Sequence, residues 1–230
     1  MAYYNWFHTY FKEKHKTSTT EEKLNDVFAL LESRGNEYLK HNYETYKQLW
    51  IDPNEDIVNS KPQIIQQIRE ELYDFLKLII ETDTKKVLQI GLGHFGSTHF
   101  CLSLICDEVV TVEYDIKNIT NYANRELFYN QNKEHFIYGS SVDLDTINKA
   151  KQFGEFDAVF IDGNHSYEYV KLDWQNYSPL VKKGGIVSFH DACLDAERYG
   201  TPKVLKEIGN EISLIRYSKE VGIAYYIKDW

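Results

Sequence analysis

Val87-Leu88-Gln89-Ile90-Gly91-Leu92-Gly93-His94-Phe95-Gly96-Ser97 reads as a strand that runs into a GxGxxG loop and then a helix. Glycine is needed in such a loop because the chain must turn sharply and its backbone must come close to a ligand. About twenty residues on, Glu113 closes the next apolar run, where a carboxylate can accept both ribose hydroxyl hydrogens. Loop and acid together predict a nucleoside-binding unit, with Gly91, Gly93, Gly96, Ser97 and Glu113 as its contacts. The pair serves a nicotinamide dinucleotide and S-adenosylmethionine alike. A dinucleotide would set its pyrophosphate at the helix N-terminus near Gly93 to Ser97, whereas S-adenosylmethionine would use the same loop for its amino-acid end.

Further short apolar runs follow at Glu108 to Val112, His135 to Tyr138, Ala158 to Ile161 and Ile186 to Phe189, and Lys86 to Ile90 is the first of the series. The stretches between them are long enough for crossover helices, which predicts an α/β fold with a doubly wound, mostly parallel sheet. Upstream, Ile64, Ile65, Ile68, Leu72, Phe75, Leu76, Ile79 and Ile80 repeat at helical spacing, so a helix is expected from Pro62 into the first strand. Lys182-Lys183-Gly184-Gly185 reads as a turn before the last parallel strand. Pro202 to Ile208 reads as a helix, and the runs Ile212 to Tyr217 and Gly222 to Ile227 as an antiparallel C-terminal edge pair.

Residues 1–60 read as an N-terminal helical extension and residues 61–230 as the main domain. The extension has helical patches at Leu24 to Leu31 and Tyr38 to Trp50, then a turn at Asp52-Pro53-Asn54. Its aromatic start (Tyr3, Tyr4, Trp6, Phe7, Tyr10, Phe11) is expected to pack against the main domain, with a homo-oligomer contact as the other use of such a surface.

A chain of 230 residues that is 43% hydrophobic and 27% charged has the composition of a water-soluble globular protein. No apolar run is long enough to span a bilayer, and Met1 to Tyr10 lacks the basic and apolar stretches of a signal peptide, so no membrane partner and a cytoplasmic location are expected. The net charge of −9, with no basic patch beyond Lys12-Glu13-Lys14, argues against a nucleic-acid partner. Cys101, Cys106 and Cys193 lack CxxC spacing and read as reduced, buried thiols.

Chemistry concentrates at the ends of the last two parallel strands, Phe160-Ile161-Asp162-Gly163-Asn164-His165-Ser166-Tyr167 and Ser188-Phe189-His190-Asp191. Ligands of open α/β sheets sit beyond the carboxyl ends of the strands, so Asp162, His165, His190 and Asp191 are expected to converge on one crevice beside the glycine loop. Ionised groups are seldom buried without a partner or a metal, which makes two carboxylates and two imidazoles in one crevice a candidate functional cluster.

On these motifs, with Val112-Glu113-Tyr114-Asp115, Gly139-Ser140-Ser141 and Lys183-Gly184-Gly185, residues 61–228 resemble the class I, Rossmann-like methyltransferases. The closer resemblance is to the group of macrolide-sugar O-methyltransferases, cephalosporin-hydroxylase-like proteins and catechol O-methyltransferase. The resemblance implies S-adenosylmethionine as methyl donor, with Glu113 on the ribose and Ser141 and Val142 lining the adenine. It implies Asp162, His190 and Asp191 as ligands of a divalent metal, Mg²⁺ or Mn²⁺, and His165 as general base. That group usually has an acidic residue where this chain has His190. The acceptor it implies is a small molecule, a sugar hydroxyl being the leading expectation.

Three other readings stand beside this one: a nicotinamide-dependent oxidoreductase on the same loop, a non-haem iron site built from two histidines and a carboxylate, and a non-catalytic nucleoside-binding module. The segment Ala192 to Thr201, with Asp195, Glu197, Arg198 and Tyr199, is placed to cover the acceptor, although a plain surface loop would look the same.

Overall fold

The computed structural model describes residues 2–34, 67–125, 129–193, 199–209, 211–217 and 221–229. Helix α1 (Ala2–Lys14) is followed by helical residues 20–34, here α2. Thr19 starts α2 with a reciprocal cap: its hydroxyl accepts the Glu22 N–H at 3.2 Å, and the Glu22 carboxylate accepts the Thr19 N–H at 2.8 Å. Then come α3 (Arg69–Glu81), β1 (Lys86–Ile90), α4 (Ser97–Ile105), β2 (Glu108–Glu113), α5 (Ile116–Arg125) and β3 (Glu134–Tyr138). The second half holds α6 (Leu144–Lys151), β4 (Phe156–Ile161), α7 (Tyr167–Tyr177), β5 (Val181–Phe189), α8 (Thr201–Ile208), β6 (Ser213–Ile215) and β7 (Ile223–Ile227).

The seven strands form one sheet in the order β3-β2-β1-β4-β5-β7-β6. Strands β1 to β5 are parallel, and β7 runs antiparallel between β5 and β6. This is the doubly wound, Rossmann-like sheet with an antiparallel C-terminal pair that the alternation of runs predicts. Strand order reverses between β1 and β4, which opens a crevice at the carboxyl ends of those two strands.

Alternation along each strand builds a core on both faces of the sheet. Val87, Val109 and Phe160 join the helices α1 to α4 on one face, while Leu88, Val110 and Val159 join residues from α6, α7 and α8 on the other. Phe11, Leu24, Val27, Phe28 and Leu31 belong to the first of these cores, so the N-terminal helices share it with the sheet. The patch Tyr38 to Trp50 and the turn at 52–54 lie outside the described residues. Among the described residues no helix is long and apolar enough to cross a membrane.

Two local expectations change. Helix α3 begins at Arg69, not at Pro62: Ile68 is extended (φ −65°, ψ 130°), and the Gln67 side chain before it turns into the crevice. Ile64 and Ile65 lie outside the described residues. Lys182-Lys183-Gly184-Gly185 is an irregularity within β5, where the register against β4 shifts and Gly184 takes φ +79°. Asp157 of β4 anchors it through Lys182 Nζ at 2.5 Å.

Candidate active site

The loops after β1 to β5 surround an open cavity of about 780 Å³ at the reversal point of the sheet. On one side stand Gly91, Leu92, Gly93, Ser97 and Thr98 of the glycine loop and the start of α4, with Glu113, Tyr114 and Ser141 around them. On the other stand Asp162, Asn164, His165, Tyr169, His190, Asp191 and Tyr199.

Gly91 shows why the loop needs glycine. It has φ +92°, and a Cβ there would lie 2.1 Å from the Asp162 carbonyl oxygen. The end of β4 thus passes directly against the loop, and the Asp162 N–H bonds the Ile90 carbonyl at 2.9 Å. Gly96 serves packing: it has φ +60°, a Cβ there would lie 2.5 Å from the Tyr122 ring, and the residue does not line the cavity. Val142, expected at the adenine, is also outside the lining, while its neighbour Ser141 is part of it.

Glu113 is built into the loop. Its Oε2 accepts the N–H groups of Leu92 at 2.7 Å and Gly93 at 3.2 Å, and its Oε1 accepts the Asp115 N–H at 2.7 Å. Oε2 thus has both lone-pair sites taken by the loop, while Oε1 keeps one, so the group can hold the loop and still accept one hydrogen bond from a ligand.

The acidic and imidazole cluster comes together as a tight group. His190 Nδ1 lies 3.3 Å from Asp162 Oδ1 and 3.1 Å from Asp191 Oδ1. His165 Nδ1 lies 3.1 Å from Asp191 Oδ2, and its Nε2 lies 3.6 Å from Asp162 Oδ1. Burial alone would lower the His190 imidazole, but the carboxylates of Asp162 and Asp191 outweigh it and raise its pKa. Burial would likewise raise Asp162; the two imidazoles outweigh it and hold the carboxyl below the usual range. The contact with Asp162 raises His165 against its partial burial, with Asp191 adding to the effect. His165 keeps 43% of its side chain exposed, so of the two imidazoles it is the one a substrate can reach.

His190 and Asp191 are buried, yet both His190 ring nitrogens and Asp191 Oδ2 lack a hydrogen-bond partner, since the ion-pair contacts are close but poorly aligned. Asp191 also takes a left-handed backbone, φ +57°, an uncommon conformation that Asp tolerates better than most residues. Ligand atoms of Asp162, His165 and Asp191 come within 4.8 Å of one another, a spacing that fits one cation. His190, expected as a ligand, lies outside that group of three but touches both carboxylates.

Several participants carry no sequence motif. Gln67 donates from Nε2 to Asp162 Oδ2 at 3.0 Å and accepts the Thr98 hydroxyl at 2.9 Å. Tyr199 sets its ring 5.5 Å from that of His165, and Tyr169 adds a second aromatic wall. Asp173 of α7 lies behind the cavity, 0% exposed, with neither carboxylate oxygen hydrogen-bonded and the Ser141 side chain facing it; burial raises its pKa to about 7. Asp195, Glu197 and Arg198 lie outside the described residues. His99 of α4 is fully buried, between Thr111 at 2.7 Å and Glu134 at 3.1 Å, and is part of the core.

Comparison with known proteins agrees with this layout. Residues 88–192 match the family model described as a methyltransferase domain. No curated protein sequence matches the chain. Among solved structures, the fold is similar to that of an O-methyltransferase from Bacillus cereus in complex with SAH, with a TM-score of 0.60 and 16% identity over 85% of this chain and 91% of that one. It is also similar to a Staphylococcus aureus structure assigned to the caffeoyl-CoA O-methyltransferases, with a TM-score of 0.57 and 17% identity over 96% and 99% of the two chains. A third similarity is to the MycE methyltransferase of the mycinamycin biosynthetic pathway with Mg and SAH, with a TM-score of 0.51 and 17% identity over 68% of this chain and 48% of that one. At these identities the likeness is one of fold.

Proposed function

We propose, from the match of residues 88–192 to a methyltransferase domain, that the chain moves the methyl group of S-adenosylmethionine to a hydroxyl of a small molecule, with His165 as general base. The observation that carries this reading is that one cavity joins the glycine loop and Glu113 to Asp162, His165, His190 and Asp191. A nicotinamide enzyme would use the first half of that cavity and leave the second without a task.

Methyl transfer from a sulfonium is an in-line displacement. The acceptor oxygen forms the new C–O bond as the C–S bond breaks, and the hydroxyl proton must leave. His165 is placed to take that proton: its ring is accessible, and the charge of Asp191, 3.1 Å from Nδ1, stabilises the imidazolium that results. The products are a methyl ether and S-adenosylhomocysteine. Holding the two reactants in line contributes on the order of several kcal/mol to lowering the barrier.

The residues present fit a divalent cation: the carboxylates of Asp162 and Asp191 come within one ion's reach, and Asp191 Oδ2 is buried without a hydrogen-bond partner among the described residues. Asp162 and Asp191 would hold it, with the His190 imidazole beside both. A Mg²⁺ or Mn²⁺ there would lower the pKa of a coordinated acceptor hydroxyl. The presence of Mg in the MycE structure supports this assignment by analogy of fold. Tyr169, Tyr199 and Asn164 line the same cavity as His165, and two aromatic side chains with an amide suit a hydroxylated ring such as a sugar.

The test is incubation with methyl-labelled S-adenosylmethionine and a panel of sugars and hydroxylated aromatic compounds, with Mg²⁺, Mn²⁺ or EDTA. O-methyl product that EDTA suppresses and Mg²⁺ or Mn²⁺ restores is expected. Product formation indifferent to EDTA would remove the cation and leave the His165–Asp191 pair to act alone.

A further inference from the structure

Every carboxylate and imidazole of the cluster comes from residues 162–191, inside the stretch that matches the methyltransferase domain. Gln67 reaches the cluster from outside that stretch, at the point where the chain enters α3. It is 8% exposed, and both ends of its amide are committed. Nε2 donates to Asp162 Oδ2 at 3.0 Å, and Oε1 accepts the Thr98 hydroxyl at 2.9 Å. The reverse orientation would set a carbonyl oxygen against a carboxylate, two acceptors with no hydrogen between them, so the network fixes which end is which.

The consequence falls on Asp162. Its two oxygens are chemically equivalent, and a carboxylate free to turn could offer either or both to the cavity. Here they are divided. Oδ2 is occupied by Gln67, while Oδ1 faces His190 Nδ1 at 3.3 Å and His165 Nε2 at 3.6 Å. Thr98, the second residue of α4 and part of the same cavity wall, secures the far end of the amide. The chain Thr98–Gln67–Asp162 therefore links the helix that starts at the glycine loop to the acid at the end of β4.

We propose that Gln67 is a positioning residue that clamps Asp162 so that it presents one oxygen, Oδ1, to a divalent cation. This rests on the reading of Asp162 as a cation ligand. Groups that hold a ligand in this way affect metal affinity by roughly ten- to a hundredfold when removed. Gln67 gives the clamp a neutral donor, where a Glu at the same place would repel Asp162. Ile68 is extended and α3 starts only at Arg69, so Gln67 stands before the helix, where its side chain turns inward.

The test is Mn²⁺ affinity, read from the electron paramagnetic resonance of the free ion, beside S-adenosylhomocysteine affinity by calorimetry. Wild type, Gln67→Met, Thr98→Val and Asp162→Asn are compared on the full chain. Gln67→Met is expected to weaken Mn²⁺ about tenfold or more while it still binds the nucleoside. Thr98→Val should move Mn²⁺ affinity the same way by less, and Asp162→Asn should abolish it. Wild-type Mn²⁺ affinity in Gln67→Met, with loss in Asp162→Asn, would overturn the clamp and leave Asp162 as a ligand. Weakened nucleoside binding with unchanged Mn²⁺ affinity would make Gln67 a donor-site residue and overturn it as well. If wild type binds no Mn²⁺, the cation reading fails and the clamp with it. Should Gln67→Met not fold, unchanged Mn²⁺ affinity in Thr98→Val is the overturning result.

Discussion

The Glu113 carboxylate accepts the backbone N–H of Leu92 at 2.7 Å, so the acid that ends β2 and the loop that follows β1 are one structural unit. Gly93 and Asp115 donate to the same carboxylate. Glu113→Ala removes the acceptor for three N–H groups at once; the buried Leu92 donor left unpaired costs about 1–3 kcal/mol, and the partly exposed Gly93 and Asp115 donors cost less. The variant is expected to lose a few kcal/mol in urea unfolding and to bind S-adenosylhomocysteine more than tenfold more weakly. Glu113→Gln, which keeps one carbonyl oxygen, should fall between it and wild type. Affinity unchanged in both variants would remove Glu113 from the donor site.

Gly91 and Gly154 both have positive φ, +92° and +79°, but only Gly91 is crowded. A methyl group at Gly154 meets nothing within 4 Å, so Gly154→Ala should cost only the left-handed backbone term, about 1–2 kcal/mol. At Gly91 the same group would lie 2.1 Å from a backbone oxygen of Asp162 and must push β1 and β4 apart. Gly91→Ala is expected to be the more destabilising by several kcal/mol in urea unfolding, or to be recovered only as insoluble protein. Equal costs at the two sites would mean that the loop and β4 are not in close contact.

Asp173 gives the chain a pH dependence with a definite sign. Burial raises its pKa to about 7 from an ordinary 3.8. Below the ordinary value both folded and unfolded states hold the proton and nothing is lost. Between the two values the unfolded chain releases its proton and the folded chain keeps it, so stability falls as pH rises through that window and then levels off. Asp173→Asn has no such proton. Its stability relative to wild type should therefore improve from pH 4 to pH 8, by on the order of a few kcal/mol at about 1.36 kcal/mol per pKa unit. A constant difference across that range, from denaturation curves at each pH, would mean that the Asp173 pKa is ordinary.

His165→Ala should lower the rate of methyl transfer by about 10²- to 10⁴-fold, the usual contribution of a general base, while S-adenosylhomocysteine affinity stays within a few-fold of wild type. Rate measurements need an acceptor from the methyl-transfer screen, whereas the affinity comes from calorimetry alone. Full turnover in the variant would take the base role from His165.

Much of the fold was legible because its signals are local. The β1 run Lys86 to Ile90 follows the apolar pattern residue for residue, and the helix read at Pro202 to Ile208 begins one residue earlier, at Thr201. The β7 run was legible too, but not its insertion between β5 and β6, since strand order depends on tertiary packing. Apolar spacing alone also does not fix where a helix starts: Ile68 is extended, and α3 begins at Arg69. The convergence of Asp162, His165, His190 and Asp191 followed from a rule about strand ends and needed no distances. Gln67 had no such signal: its part in the site comes from a contact between residues 95 positions apart. Asp173 was equally silent, because an Asp on a helix reads as solvated until its neighbours are known.

Calorimetric titration with S-adenosylhomocysteine and, separately, NAD⁺ tests the central claim most directly. Binding of S-adenosylhomocysteine without binding of NAD⁺ is the expected result, because the Asp162–His165–His190–Asp191 half of the cavity answers the needs of methyl transfer. Binding of NAD⁺ without S-adenosylhomocysteine would contradict the account and assign the glycine loop to dinucleotide chemistry.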